Sequence, residues 1–323
     1  MLLRLILALL LLPGLAAART LSVGPEQPFA TPSAAARVAQ DGDTILIAPG
    51  DYFDCAVWNQ NGLTIAGTAP GVTITDTTCQ GKALFVILGH DTTIRDLTLA
   101  RARVPDRNGA GIRLEGQGLT LRNVRFANNE VGILAGMPGD GAIRIETSAF
   151  EGGGTGGDRP TYAVMVGAVR LLRIEGTSFK GVKGGQIGTA ALRTELTGNT
   201  IETGTGDAPS VAVMATGGAP ILEDNLLTMG PTAPRLAAAV VAMGNGAPEL
   251  RRNTLTNATG RPMALLLNWT GTEPSMAGNQ VAPADTEVSI EGLARHMAAI
   301  LLHGMVDGVR GLAGRIKRGL GGW

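Results

Sequence analysis

The residues best suited to chemistry gather between positions 106 and 130. Asp106, Arg107 and Asn108 fall in the loop-like VPDRN, Arg113 and Glu115 in the following GIRLEG, and Glu130 one short segment further on. In an extended strand successive side chains alternate, so Ile112 and Leu114 face one way while Arg113 and Glu115 face the other. An arginine beside a carboxylate suits proton abstraction from an acidic substrate. The cation neutralises the substrate's carboxylate while a base takes the neighbouring proton. Two carboxyls about 5–9 Å apart would instead suit hydrolysis of a glycosidic bond. Hydrolysis needs a second carboxyl beside Glu115, and Asp106 and Glu130 are the candidates. Lacking that partner, the same side chains make a surface that binds an anionic ligand, or simply a solvated face of Arg–carboxylate pairs. Asp158, Arg159 and Tyr162 form a smaller second group beside the glycine-rich GGGTGG at 152–157.

Type and spacing exclude other chemistries. His90, His296 and His303 are scattered, and the last two lie seven apart with no carboxylate between them, so no metal site is expected. GGGTGG lacks the Lys-Ser/Thr of a phosphate loop and precedes no helical pattern. No cofactor is expected. Basic and acidic residues balance at 27 each, which leaves no electrostatic footprint for nucleic acid.

What positions these residues is a repeat. LTLRNVRF, IRIETSAF, LRIEGTSF, TELTGNTI, ILEDNLLT, ELRRNTLT and PSMAGNQV align so that Val124, Ser148, Thr177, Asn199, Asn225, Asn253 and Asn279 are equivalent. Their gaps are 24, 29, 22, 26, 28 and 26 residues. An apolar residue follows each by two, from Phe126 to Val281, and a companion strand such as GIRLEG, VGILAG or VAVMATG precedes each. A unit of roughly 25 residues with short strands and no helix predicts a parallel β-helix of about nine coils. Coils stack about 4.8 Å apart, so like residues lie over like. Inward asparagines at a corner should then bond one another as a ladder, in a residue type that tolerates left-handed backbone. The 47 glycines and the scarcity of aromatics, 3%, fit many turns around a core of Val, Ile, Leu and Ala.

The ends differ. MLLRLILALLLLPGLAAA reads as a signal peptide (1–18) cleaved after Ala18, which places the mature chain in the periplasm or outside the cell. TPSAAARVAQ predicts a short helix with Ser33 as N-cap, covering the open first coil of the β-helix at 19–285. In the tail, 286–323, Leu293, Met297, Ile300, Leu301, Val309, Leu312 and Ile316 recur at helical steps. That amphipathic helix would cover an apolar side of the β-helix or, through Arg310, Arg315, Lys317 and Arg318, lie on a membrane surface. Cys55 and Cys79 are 24 residues apart, about one coil, and are expected to form a disulfide in an oxidising compartment.

Over nearly the whole mature chain the pattern resembles the pectate-lyase-like superfamily of right-handed parallel β-helix proteins. DCAVW, LTIAG, CQGKALFV, VPDRNGAGIRLEG and NNEVGILAG are similar to a group of bacterial secreted β-helix proteins of unassigned activity. That group carries polar signatures HNIYVG, GHLIKSRA and SYEIDLPNGG in its central coils, where this chain reads YAVMVG, GGQIGTAA and SVAVMATGG. Tyr162, Ala163 and Gly185 stand at the polar positions, Gly188, Thr189 and Ala190 replace Lys-Ser-Arg, and Ala212 and Met214 replace an acidic pair. The resemblance implies a polysaccharide or cell-envelope partner. The lost polar face implies binding without an intact active site. A polysaccharide lyase or glycoside hydrolase acting on an acidic glycan, and a structural envelope protein, are the alternatives.

Overall fold

The computed structural model describes residues 18–136, 139–155, 161–203, 211–231 and 238–291. The expected signal peptide up to residue 17, Asp158, Arg159 and the expected C-terminal helix from residue 292 lie outside the described residues.

Each turn of the chain crosses three walls. Strands such as Thr44–Ile47 and Thr64–Gly67 build the first, and Gly50–Tyr52 and Val72–Thr75 the second. Thr92–Ala100 and Leu119–Ala127 run through both, so the two walls hydrogen-bond as one 19-stranded sheet. The third wall is a separate sheet of 10 parallel strands, one per coil, from Ala56–Trp58 to Glu287–Glu291. The protein is thus a right-handed parallel β-helix of about ten coils, one more than the repeat alone predicts.

Register is kept from coil to coil. Leu99, Phe126, Phe150, Phe179, Ile201, Leu227, Leu255 and Val281 form one continuous inward column. Its phenylalanines stack face to face, with ring centroids 4.6 and 4.8 Å apart. The rings leave no room on the opposite wall: a Cβ on Gly111 would sit 2.7 Å from the Phe126 ring.

Two residues before that column runs the polar one. Asn199, Asn225 and Asn253 are fully buried, and each donates its Nδ2 hydrogens to the side-chain oxygen of the next asparagine and to a main-chain carbonyl of the preceding coil. Each Oδ1 also accepts a backbone N–H from the coil before it. Ser148 and Thr177 continue the column with their hydroxyls, which accept from the Val124 and Ser148 amides. The ladder is as expected, but the left-handed backbone is not on the ladder residues themselves. Positive φ falls one residue earlier, at Asn123, Thr147, Gly176, Gly198, Asp224, Arg252 and Gly278. The corner turns at that residue, and the turn is what aims the following side chain inward.

At the N-terminal end a five-residue helix, Pro32–Ala36, packs against Ala56–Trp58, the terminal strand of the third wall. Its N-cap is Thr31, whose Oγ1 accepts from the Ala34 amide. Ser33 lies inside the helix instead, its amide donating to Asp54 Oδ2 at 2.7 Å. The predicted Cys55–Cys79 disulfide is present, with Cα atoms 5.4 Å apart. The one-coil reasoning behind it needs correction. Ala56 registers with Phe85, so this coil is 85 − 56 = 29 residues long and Cys79 is not the counterpart of Cys55. A turn closed by the Cys79–Ala83 bridge folds Cys79 back to meet it.

Ladder position Asn225 can be tested by substitution. Asn225→Ala removes an acceptor from the Asn199 amides and strands the Leu196 carbonyl, and each buried group left unpaired costs about 1–3 kcal/mol. The melting temperature should fall markedly, and Asn225→Asp should not restore it, because a carboxylate cannot donate to Leu196.

Near the chain's first described residues, Asp43 is buried and accepts from the Arg19 guanidinium, from the Arg19 amide and from the Gln40 amide. The Arg19 bond is the largest influence and, against the opposing effect of burial, holds the carboxyl at about 2. A depressed carboxylate stabilises the fold fully above its unfolded value, near 4, and less as pH falls through its folded value. Thermal melts between pH 4 and 2 should therefore show a steeper loss for the wild type than for Asp43→Asn.

Candidate functional site

The outward positions of the third wall carry the predicted cluster. Ala110–Leu114 places Ile112 and Leu114 in the main core and turns Arg113 outward, between Val86 of the coil before and Leu134 of the coil after. Outward does not mean exposed here. Val86, Leu134, Ala83, Ala110 and Val131 form their own buried apolar cluster, and Arg113 lies within it. Side-chain exposure is 10% for Arg113, 20% for Glu115 and 33% for Lys82. Burial lowers the Arg113 pKa from its usual value, an effect opposed by Glu115.

Glu115 is the centre of the group. Its Oε1 lies 2.8 Å from Lys82 Nζ and 3.4 Å from Arg113 Nε. The second contact is an ion pair without hydrogen-bond geometry, so Arg113 Nε has no hydrogen-bond partner. Two cations around one carboxylate leave a unit of positive charge.

Lys82 was absent from the sequence candidates. It precedes the strand Ala83–Ile87, and the Ala110 amide donates to its carbonyl, so it sits directly beside the end of the 104–109 loop. The register Ala83 to Ala110 was the signal that would have found it.

Glu130 is brought near but given other work. It is buried, and Oε2 accepts from the Val104 and Gly109 amides at 3.1 and 2.7 Å, pinning both ends of the loop that carries Asp106, Arg107 and Asn108. Asp106 and Arg107 are exposed on that loop and Asn108 is half-buried. Arg107 takes a positive φ of 58° at its turn. Asp106 makes no ion pair with Lys82 or Arg113. Of the three carboxylates in this region, only Glu115 meets the cations.

Tyr162 belongs elsewhere. Its ring lies flat over the next coil, so close that a Cβ on Gly185 would be 2.2 Å from it. It packs with Val211, Met214 and Val241 of a second outward apolar cluster, and burial raises its hydroxyl to about 12. Among the described residues no three His, Cys, Asp or Glu side chains gather as a metal site would require.

Elsewhere several surface charges are paired across coils. Arg101–Asp76, Arg122–Glu146, Arg125–Glu151 and Arg173–Glu195 each join neighbouring turns at 2.5–2.7 Å. Such exposed pairs contribute roughly 0–1 kcal/mol each.

A pectin methylesterase from Aspergillus niger, in deglycosylated form, superposes with a TM-score of 0.55 at 12% identity, over 85% of this chain and 90% of the other. The chain has the right-handed parallel β-helix fold of the pectate-lyase-like proteins. Pectin methylesterase PemA from Erwinia chrysanthemi covers 88% of this chain and 94% of its own at 12% identity, with a TM-score of 0.44. The rice weevil enzyme gives 0.44 over 78% and 85% at 12% identity. The sequence matches no protein-family model and no curated protein. At these identities the likeness is one of fold.

Proposed function

We propose that the protein binds an acidic polysaccharide or other acidic envelope polymer through Lys82, Arg113 and Glu115, and does not cleave it. The observation that carries this reading is the composition of the cluster: two cations share a single carboxylate, and Glu130 is committed to backbone amides. Hydrolysis by a carboxyl pair has no second member there. An incoming carboxylate would meet Lys82, the more exposed cation, while the buried Arg113 adds its charge from beneath. The fold agrees with a carbohydrate ligand, since the similar Aspergillus niger protein is by name an esterase of a polysaccharide.

A glycan-array screen tests the reading. Binding of uronate-containing glycans is expected, weakened about tenfold by Lys82→Ala, as one charge-assisted bond of about 1.5 kcal/mol implies. No unsaturated-uronate absorbance is expected with pectate, alginate or hyaluronan, and no methanol release from methylesterified pectin. Turnover lost in Glu115→Gln would overturn the binding reading and make Glu115 a catalytic base. Glycan binding unchanged in both Lys82→Ala and Arg113→Ala would remove the site.

The same reading places the mature chain outside the cytoplasm, with residues 1–18 as a cleaved signal peptide, in keeping with the disulfide. The Arg19 nitrogen lies 2.9 Å from Asp43 Oδ1, so cleavage after Ala18 would set a new α-ammonium group against that buried carboxylate. N-terminal sequencing of protein taken from the periplasm or medium should begin at Arg19, and a start at Met1 would count against secretion by this route.

A further inference from the structure

Lys82 ends a turn that the disulfide ties down. The turn Cys79–Gln80–Gly81–Lys82 is closed by the Lys82 amide, which donates to the Cys79 carbonyl at 2.9 Å. The Cys79 amide in turn donates to the Ala83 carbonyl at 2.8 Å. Both central residues are left-handed, Gln80 at φ 54° and Gly81 at φ 60°. A glutamine holds that conformation only where its surroundings impose it. Here the non-covalent surroundings are thin. Asp76, Thr77, Gln80 and Gly81 are exposed, and Thr78 and Cys79 are half-buried. Thr78 Oγ1 reaches the Arg103 carbonyl only at 3.4 Å. The covalent tether of the loop is the bond from Cys79 to Cys55, which directly precedes the wall's first strand, Ala56–Trp58. From the other side, Lys82 Nζ meets Glu115 of the next coil at 2.8 Å. Both cysteines are half-buried, so a thiolate from solvent can reach their sulfurs.

We propose that this disulfide is a redox switch on the Lys82–Glu115–Arg113 cluster. Closed, it holds Lys82 against Glu115; opened, it releases the turn and with it the aim of the lysine. The effect on ligand binding rests on the glycan reading above, whereas the movement of Lys82 does not. A dithiol reductant drives the opening. One of its thiolates attacks a sulfur of the bridge, and its second thiol then displaces the mixed disulfide. Two electrons and two protons pass to Cys55 and Cys79, which become thiols, and the reagent leaves as a cyclic disulfide. The β-helix survives the step, because the strands flanking the loop keep their ladders. Val72–Thr75 stays paired with Thr92–Ala100, and Ala83–Ile87 with Ala110–Leu114. The Lys82 carbonyl also keeps its bond from the Ala110 amide, so only the N-terminal side of Lys82 is freed. Once Lys82 leaves, Arg113 alone balances Glu115 and the positive excess of the cluster is gone.

Amine labelling of the oxidised protein reads the switch without any ligand. The Lys82 side chain is 33% exposed and ion-paired, so acetic anhydride should modify it several-fold more slowly than Lys180, which is 74% exposed. Dithiothreitol should raise the Lys82 rate several-fold, leave Lys180 unchanged and keep the β-rich circular dichroism spectrum. The Cys55→Ser/Cys79→Ser double variant should behave as the reduced protein does, and reoxidation of the wild type should restore protection. Pectate affinity should fall about tenfold on reduction, matching Lys82→Ala. Reduction should have no further effect on pectate binding in Lys82→Ala protein, because both changes remove the same cation. Lys82 labelling unchanged by reduction would overturn the proposal. Loss of the β-rich spectrum, or equal acceleration at Lys180, would also overturn it and make the bond a clamp on the whole fold. Faster Lys82 labelling with no pectate binding in either state would defeat the glycan reading and leave the movement of Lys82 standing.

Discussion

Everything in this molecule depends on stacking each coil on the last in strict register. A parallel β-helix keeps its backbone hydrogen bonds between coils, so its corners must bend the chain without leaving polar groups stranded inside. The column from Ser148 to Asn279 meets that constraint. A residue in the left-handed region turns the corner, and the next side chain reaches in to satisfy main-chain groups of the adjacent coil. Because every asparagine both donates and accepts, one missing member leaves two coils short. The ladder therefore fixes register as well as stability, since a slip by one residue would bury the wrong side chain at every corner.

Register then dictates how the interior is filled. A phenylalanine in one coil places its ring about one strand spacing from the next, and three in succession stack. The opposite wall answers with glycine where the rings reach across. On the outside the same repetition sets arginine beside carboxylate from turn to turn at several positions, so those charges are cancelled by a neighbour.

Against that cancelled background the Lys82–Glu115–Arg113 group differs in two ways. It has an excess cation, and it sits on the wall whose outward face is otherwise apolar and buried. Low exposure strengthens the attraction of such a cation for an anionic ligand, but it also limits how much of the ligand can reach it. Glu130 supports the arrangement from behind by fixing the loop that borders it.

The sequence alone determined the β-helix, because a repeat near 25 residues with strands and no helix has few other solutions, and stacking makes equivalent residues visible as columns. It also showed the corner asparagines, the inward facing of Ile112 and Leu114, and the pairing of Cys55 with Cys79. Tertiary structure decided what depends on coil length and reach. Coils vary from turn to turn, so Cys79 met Cys55 through a local turn rather than by register, and Lys82 reached Glu115 across a coil boundary that no linear spacing reveals. Glu130 read as an exposed acid because strand alternation says nothing of a loop folding over it. Arg113 read as a surface cation for the same reason. Alternation tells which way a side chain points, and only the packed molecule tells what lies there to meet it.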